Sequence, residues 1–278
     1  MERFANSIEL MRASWEVLKK DKEILFIPII SGVSLMVMLA SFVVPAILVG
    51  DPDLIQRLIH EDRNFSMTVS FIFYFLNYLI IIFFNSAIVA CATVRMGGGD
   101  PTVLDGLNTA SSRIGKVILW AFVSATVGMI LRMIQGRSNL IGRAISGLLG
   151  MAWSVTSFLV IPVMVNENKG PFDAYTGSID LLKKTWGEGL IGTFSFGLVF
   201  TIASLPAFFV VGAGAYLGKG MLTIILIISA VVYLVALSIF QSALMGIFQS
   251  ALYQFARFGN VPSGFQERQL RHAIERKA

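Results

Sequence analysis

Four amide side chains lie within long apolar stretches of the chain: Asn77, Asn85, Gln241 and Gln249. Each carries N–H donors and a carbonyl acceptor that hydrocarbon cannot satisfy. They must either hydrogen-bond across a helix bundle or line a polar path for a substrate or a lipid headgroup. Asn85-Ser86-Ala87 and Gln249-Ser250-Ala251 occur late in two different runs, as equivalent positions of a repeat would. A membrane enzyme or an ion-coupled pump keeps ionisable groups at depth, yet no Asp, Glu, Lys, Arg or His falls in the middle of any apolar run. His60 and His272 lie in polar segments, and Cys91 is the only cysteine, so an internal disulfide and a cysteine zinc site are excluded. The chain has no HExxH motif, Walker loop or plausible Ser-His-Asp set. Gly212-Ala213-Gly214-Ala215 sits inside an apolar run, where close helix packing is its reading rather than phosphate binding. The expectation is a protein that is not an enzyme, with no catalytic residue, metal site or cofactor.

The elements that position these amides must be membrane helices. Of 278 residues, 55% are hydrophobic and only 14% are charged. A soluble domain carries about 25% charged residues. The apolar residues come in blocks of about 20 or more, the length that crosses roughly 30 Å of hydrocarbon. The formal charge of +5 does not call for a nucleic acid, because Lys and Arg cluster at the ends of the apolar blocks. Glu2, Glu9, Glu16 and Asp21 interrupt the first residues, which therefore do not read as a signal peptide.

In chain order, residues 3–20 form an amphipathic helix with Phe4, Ile8, Met11, Trp15 and Leu18 on one face. The first crossing is Ile24–Val49, followed by a polar connection over Asp51–Asn64 and a second crossing over Phe65–Val94. After the break at Gly97–Pro101, a second amphipathic piece covers Thr102–Arg113. Crossings three and four are Ile114–Leu131 and Ala144–Val165. A second break, Asn166–Pro171, leads into the amphipathic piece Phe172–Trp186. Crossings five and six are Leu190–Leu217 and a run from Met221 to Phe258, longer than one bilayer requires. The tail, 259–278, is basic and helical from about Gln266.

The segment Ser178-Ile179-Asp180-Leu181-Leu182-Lys183-Lys184-Thr185-Trp186 echoes Ser7-Ile8-Glu9-Leu10-Met11-Arg12-Ala13-Ser14-Trp15. Four apolar columns align across the three amphipathic pieces: Phe4/Val103/Tyr175, Ile8/Leu107/Ile179, Met11/Ala110/Leu182 and Trp15/Ile114/Trp186. The fold expected is a single all-α integral membrane domain. Its six transmembrane helices form three repeated units of interfacial amphipathic helix plus helical hairpin, about 1–94, 95–165 and 166–258. Phe4, Trp15, Tyr175 and Trp186 would anchor the amphipathic pieces at the interface. Lys19, Lys20, Lys183 and Lys184 would meet anionic lipid headgroups. With six crossings, sixteen of the 22 Lys and Arg fall on the side of the termini. That bias predicts a multi-pass protein of the cell membrane with both termini cytoplasmic.

Gly142, Ser146 and Gly150, and likewise Gly214 and Gly218, are spaced for close helix approach. This spacing serves packing within one chain, a homo-oligomer or a protein partner equally well. The N-terminal pattern from Ser7 to Trp15, Leu18-Lys19-Lys20-Asp21-Lys22-Glu23, Phe26-Ile27-Pro28, and Gly98-Gly99-Asp100-Pro101-Thr102 resemble the DUF6159 family of membrane proteins of unknown function. More distantly, the chain is similar to the membrane domain found beside some glycerophosphodiester phosphodiesterases. Their soluble catalytic domain has no counterpart here, and the resemblance implies no activity. Two functions stay open. One is a non-catalytic role in membrane organisation, lipid interaction or partner scaffolding; the other is a transporter or permease for a lipid-like or neutral solute, lined by the four amides.

Overall fold

The computed structural model describes residues 2–49, 63–137, 140–185, 194–218, 220–266 and 270. Among these there is no strand. The helices are α1 (Glu2–Lys20), α2 (Phe26–Val49), α3 (Arg63–Met96), α4 (Val103–Ser112), α5 (Ile114–Arg137), α6 (Leu140–Thr156), α7 (Val160–Asn166), α8 (Pro171–Thr185), α9 (Phe194–Leu217) and α10 (Met221–Phe258). A 3-10 turn, Lys22–Leu25, joins α1 to α2. Five stretches are long and apolar enough to cross a membrane: Lys22–Pro45, Asn64–Met96, Ile114–Gln135, Gly142–Asn166 and Met221–Phe258. Their outward residues are large and apolar, as with Met36 at 58% exposure, Val37 at 65% and Met221 at 80%. Surface of that kind is stable in lipid rather than water. The chain is an all-α, multi-pass membrane protein. The expected fifth crossing falls on α9, whose described apolar stretch is the shorter Val199–Gly214. Most of the Asp51–Asn64 connection and most of the tail beyond Gln266 lie outside the described residues.

The chain divides into two compact units. One comprises residues 1–28, 91–102 and 180–278; the other comprises 29–90 and 103–179. In the first, α1 packs on α9 and α10, and α9 packs along α10. The core of that unit is Leu10, Ala13, Val17 and Leu18 of α1 with the stretch of α10 from Ala243 to Tyr253. The N-terminal part of α10 differs: Met221, Leu222, Ile224, Ile225, Val231 and Val232 are all exposed. In the second unit the core is the stretch of α3 from Ile82 to Ala90, Val117, Trp120 and Ala121 of α5, and all of Val160–Val165.

Three helices end alike. Gly98 (φ 90), Asn168 (φ 51) and Gly259 (φ 69) adopt the left-handed conformation, and a proline follows three residues later in each case. Pro101, Pro171 and Pro262 are all buried. At the first of these ends, Gly98 N–H donates to Arg95 O at 3.1 Å and Gly99 N–H to Val94 O at 3.0 Å. This paired closure satisfies the last carbonyls of α3. A proline beyond it prevents the helix from resuming.

The fourth expected crossing is not one helix. It breaks at Ser157–Leu159 between α6 and α7. Pro162 explains the position, because it has no N–H and its ring would clash with the carbonyl of Phe158 in a continuous helix. Instead Pro162 sits in the first turn of α7, where no N–H is required. The interruption is closed by α8: the fully buried Ser178 donates from Oγ to Thr156 O at 2.7 Å and accepts from Leu159 N–H at 3.2 Å.

Candidate functional site

The described residues contain no group of three or more His, Cys, Asp and Glu that could hold a metal. Cys91 is buried, with its Sγ 3.5 Å from Thr102 O. Three polar arrangements stand out among the described residues instead.

The first is the junction where α1, the 3-10 turn and the α3–α4 loop meet. Arg95 projects from the last turn of α3. Its guanidinium donates to Gly99 O at 3.1 Å, to Asp100 Oδ1 at 2.7 Å and to Lys20 O. It thus satisfies a carbonyl at the C-terminus of α1, where a cation also complements the helix dipole. Beside it, Asp21 is buried and caps the 3-10 turn, Oδ1 accepting from Glu23 N–H at 3.2 Å. Its other oxygen, Oδ2, has no partner among the described residues. Burial pushes the Asp21 carboxyl above its ordinary value of 3.8, and the positive charge of Arg95 opposes that rise.

Because the folded pKa lies above the unfolded one, the stability this carboxyl contributes is fully present below 3.8. It is lost as pH rises through the folded value. Asp21→Asn keeps the cap and removes the titration. Its melting midpoint in detergent should therefore gain on the wild type as pH rises from about 4 towards neutrality, then run parallel. A constant difference across that range would refute the assignment.

The second place is in the other compact unit, where Trp120 of α5, Trp153 of α6 and Tyr175 of α8 stack. Their centroids lie 5.5 Å (Trp120–Trp153), 5.5 Å (Trp153–Tyr175) and 5.9 Å (Trp120–Tyr175) apart, with interplanar angles of 25–35°. The Tyr175 hydroxyl shares a hydrogen bond of 3.0 Å with Thr156 Oγ1. Tyr175, expected as an interfacial anchor, is half-buried in this stack. In the same unit Lys116 Nζ donates to the backbone and side-chain oxygens of Asn168, the left-handed residue that closes α7.

The third is a cleft of about 220 Å³ between α9 and α10. Gly197, Phe200, Thr201 and Ser204 line it from one side and Leu234, Leu237, Ser238 and Gln241 from the other. The hydroxyl protons are already committed: Thr201 donates to Gly197 O at 2.8 Å, Ser204 to Thr201 O at 2.7 Å and Ser238 to Val235 O at 2.8 Å. Pro206 interrupts the hydrogen-bond ladder of α9 one turn further along, and Tyr233 of α10 donates to the nearby carbonyl of Ala203 at 2.7 Å.

The four amides divide between the two compact units. Gln241 lines the α9–α10 cleft, whereas Gln249, eight residues on, is buried among protein. Next to Gln249, Ser250 Oγ shares a hydrogen bond of 2.7 Å with Thr93 Oγ1. Asn77 and Asn85 belong to the other unit, half-buried on α3, where Asn85 makes further polar contacts.

On α1, Trp15 is 40% exposed with its ring 5.7 Å from Phe240. Lys19 is exposed and pairs with Glu16 at 2.6 Å, and Lys20 and Lys183 are exposed. Trp186 lies outside the described residues, as do the side chains of Phe4 and Lys184. The inward face of α1 is Leu10, Ala13, Ser14, Val17 and Leu18. The stripe read from sequence is split by this, with Leu18 inside and Ile8 and Trp15 outside.

From sequence, Asp21 counts only as a charge that interrupts the first residues and as part of the family pattern, and Arg95, Thr201, Ser204 and Ser238 do not stand out. The signal for the cleft was available as hydroxyls spaced by three on neighbouring apolar runs, at Thr201 and Ser204, and at Ser238 three before Gln241.

The family described as "Family of unknown function (DUF6159)" matches residues 64–265. No curated protein matches the chain. The match covers most of the chain, which belongs to the DUF6159 family.

Proposed function

We propose that this member of the DUF6159 family is a non-catalytic protein of the cell membrane that gathers anionic lipid on the side where its termini lie, the cytoplasmic side. In this reading six helices cross the bilayer as three units, each an interfacial amphipathic helix with a hairpin. The recurrence of a left-handed residue three before a buried proline, at Gly98/Pro101, Asn168/Pro171 and Gly259/Pro262, supports the three-unit layout.

The observation that carries the lipid reading is the division of α1. One stripe, Leu10, Ala13, Val17 and Leu18, is spent inside the protein. A second apolar stripe with Ile8 and Trp15 remains outside, close in sequence to exposed Lys19 and Lys20. An apolar stripe flanked by lysines suits a helix lying at a charged bilayer surface. The Glu16–Lys19 pair does not oppose this, since an exposed ion pair holds its charge only weakly.

Each Lys near an anionic surface contributes about 1 kcal/mol. Reversing Lys19, Lys20, Lys183 and Lys184 to Glu together should lower the preference for phosphatidylglycerol over phosphatidylcholine by about tenfold or more. Native mass spectrometry of the purified chain measures that ratio, and an unchanged ratio would sink the proposal.

A second reading, a permease for a lipid-like or neutral solute, draws on the mixed polar and apolar lining of the α9–α10 cleft. Solute flux into proteoliposomes that is lost on Gln241→Leu would favour it over the first.

A further inference from the structure

We infer that the α9–α10 cleft is a binding site for one glycerophospholipid, which it holds at the glycerol-linkage level with Gln241 as hydrogen-bond donor. The inference rests on the lipid reading above and names the site.

The depth of the cleft comes from the helices themselves. The turn between α9 and α10 is at Gly218–Gly220, and Gln241 lies 21 residues beyond it. At about 1.5 Å per residue that is about 30 Å of helix, the thickness of the hydrocarbon layer. Gly197, 21 residues before the turn on α9, reaches the same level. Two independent observations mark that level as the edge of the hydrocarbon. On α10 the exposed large apolar side chains before Gln241 end at Val235, and from Ala243 to Tyr253 every residue but Met245 is buried by protein. The neighbouring Phe240 carries the half-exposed ring of Trp15, a side chain suited to the headgroup boundary.

The chemistry of the lining then selects the ligand. Phe200, Leu234 and Leu237 offer apolar contact to an acyl chain. Thr201, Ser204 and Ser238 have spent their protons on backbone carbonyls. Gln241 is the lining side chain whose N–H groups meet no partner among the described residues. A ligand that suits this arrangement is apolar below and carries acceptor oxygens where the hydrocarbon ends. The linkage oxygens of a glycerophospholipid have that placement. A wholly polar solute would leave the apolar lining of Phe200, Leu234 and Leu237 uncovered.

The test uses the full chain in mild detergent with dioleoylphosphatidylglycerol as the probe. Gln241→Leu removes the donor at similar volume. Ser238→Leu fills the cleft from an exposed position and leaves Gln241 in place. Each should weaken retention of one lipid per chain by about threefold to thirtyfold in native mass spectrometry. Photolabelling of the unsubstituted protein by a diazirine-bearing phospholipid should modify peptides spanning 197–204 or 234–241, which keeps the test independent of how the variants fold. Wild-type retention in both folded variants, or labelling confined to other segments, would overturn the inference. The lysine reversals separate it from the lipid reading. They should change headgroup preference and leave labelling of the cleft in place, so an unchanged preference with intact labelling fails the former reading only.

Discussion

Arg95→Met is expected to destabilise the protein by about 2–4 kcal/mol. The estimate does not come from the Asp100 ion pair. Asp100 is 92% exposed, and a pair of that kind contributes at most about 1 kcal/mol. It comes from what the substitution leaves behind. Lys20 O loses its donor at the end of α1, and Gly99 O loses its donor in the loop. The buried Asp21 carboxyl loses the cation that offsets its burial. Lysine cannot restore the arrangement in full, since an ammonium lacks the planar fork that reaches several acceptors at once. Arg95→Lys should therefore recover only part of the loss. Asp21→Asn should rescue Arg95→Met partially, because it removes the charge left without compensation. A double-mutant cycle of unfolding midpoints in detergent measures this coupling. Equal stability of the Met and Lys variants, with no rescue, would show that Arg95 does not hold the junction.

Ser178→Ala is expected to cost about 1–3 kcal/mol. The hydroxyl is fully buried and serves both ends of the break between α6 and α7. Its loss leaves Leu159 N–H and Thr156 O without this partner, in a segment where water is scarce. The aromatic stack lies beside the break, as Tyr175 is bonded to Thr156 and stacked on Trp153. Tryptophan emission should therefore report the change along with a lower melting midpoint. Ser178→Thr keeps the hydroxyl and should lie nearer the wild type. An alanine variant with unaltered melting and emission would mean that the break is held by Pro162 alone.

How far the sequence revealed this molecule depended on the distance between cause and effect. The limits of α10 were readable because an unbroken apolar run ends at a glycine, and the observed helix is Met221–Phe258. The loop closures were readable because glycine, asparagine and proline act locally. The break in the fourth crossing was not read. Pro162 was visible, but apolar composition continues through Ser157–Leu159, and the group that closes the break is Ser178 on another helix. The inward face of α1 was missed for a related reason. Ala13 and Ser14 carry little hydrophobic signal, yet their small size admits close packing against α9 and α10. At the cleft, Gln241 stood out as an amide in an apolar run. The three hydroxyls did not, since their meaning depends on α9 and α10 lying side by side.

The change in surroundings along α10 makes one helix answer to two equilibria. Amides in the exposed half, around Met221–Val235, are shielded from deuterium by lipid whether or not the protein around them is packed. Those between Ala243 and Tyr253 are shielded by the remainder of the polypeptide. In nanodiscs, warming should first release exchange in the second stretch while the first stays protected. Dissolving the lipid should open the first while the second holds. A single continuous helix would then carry its own internal control, separating insertion from folding in one experiment.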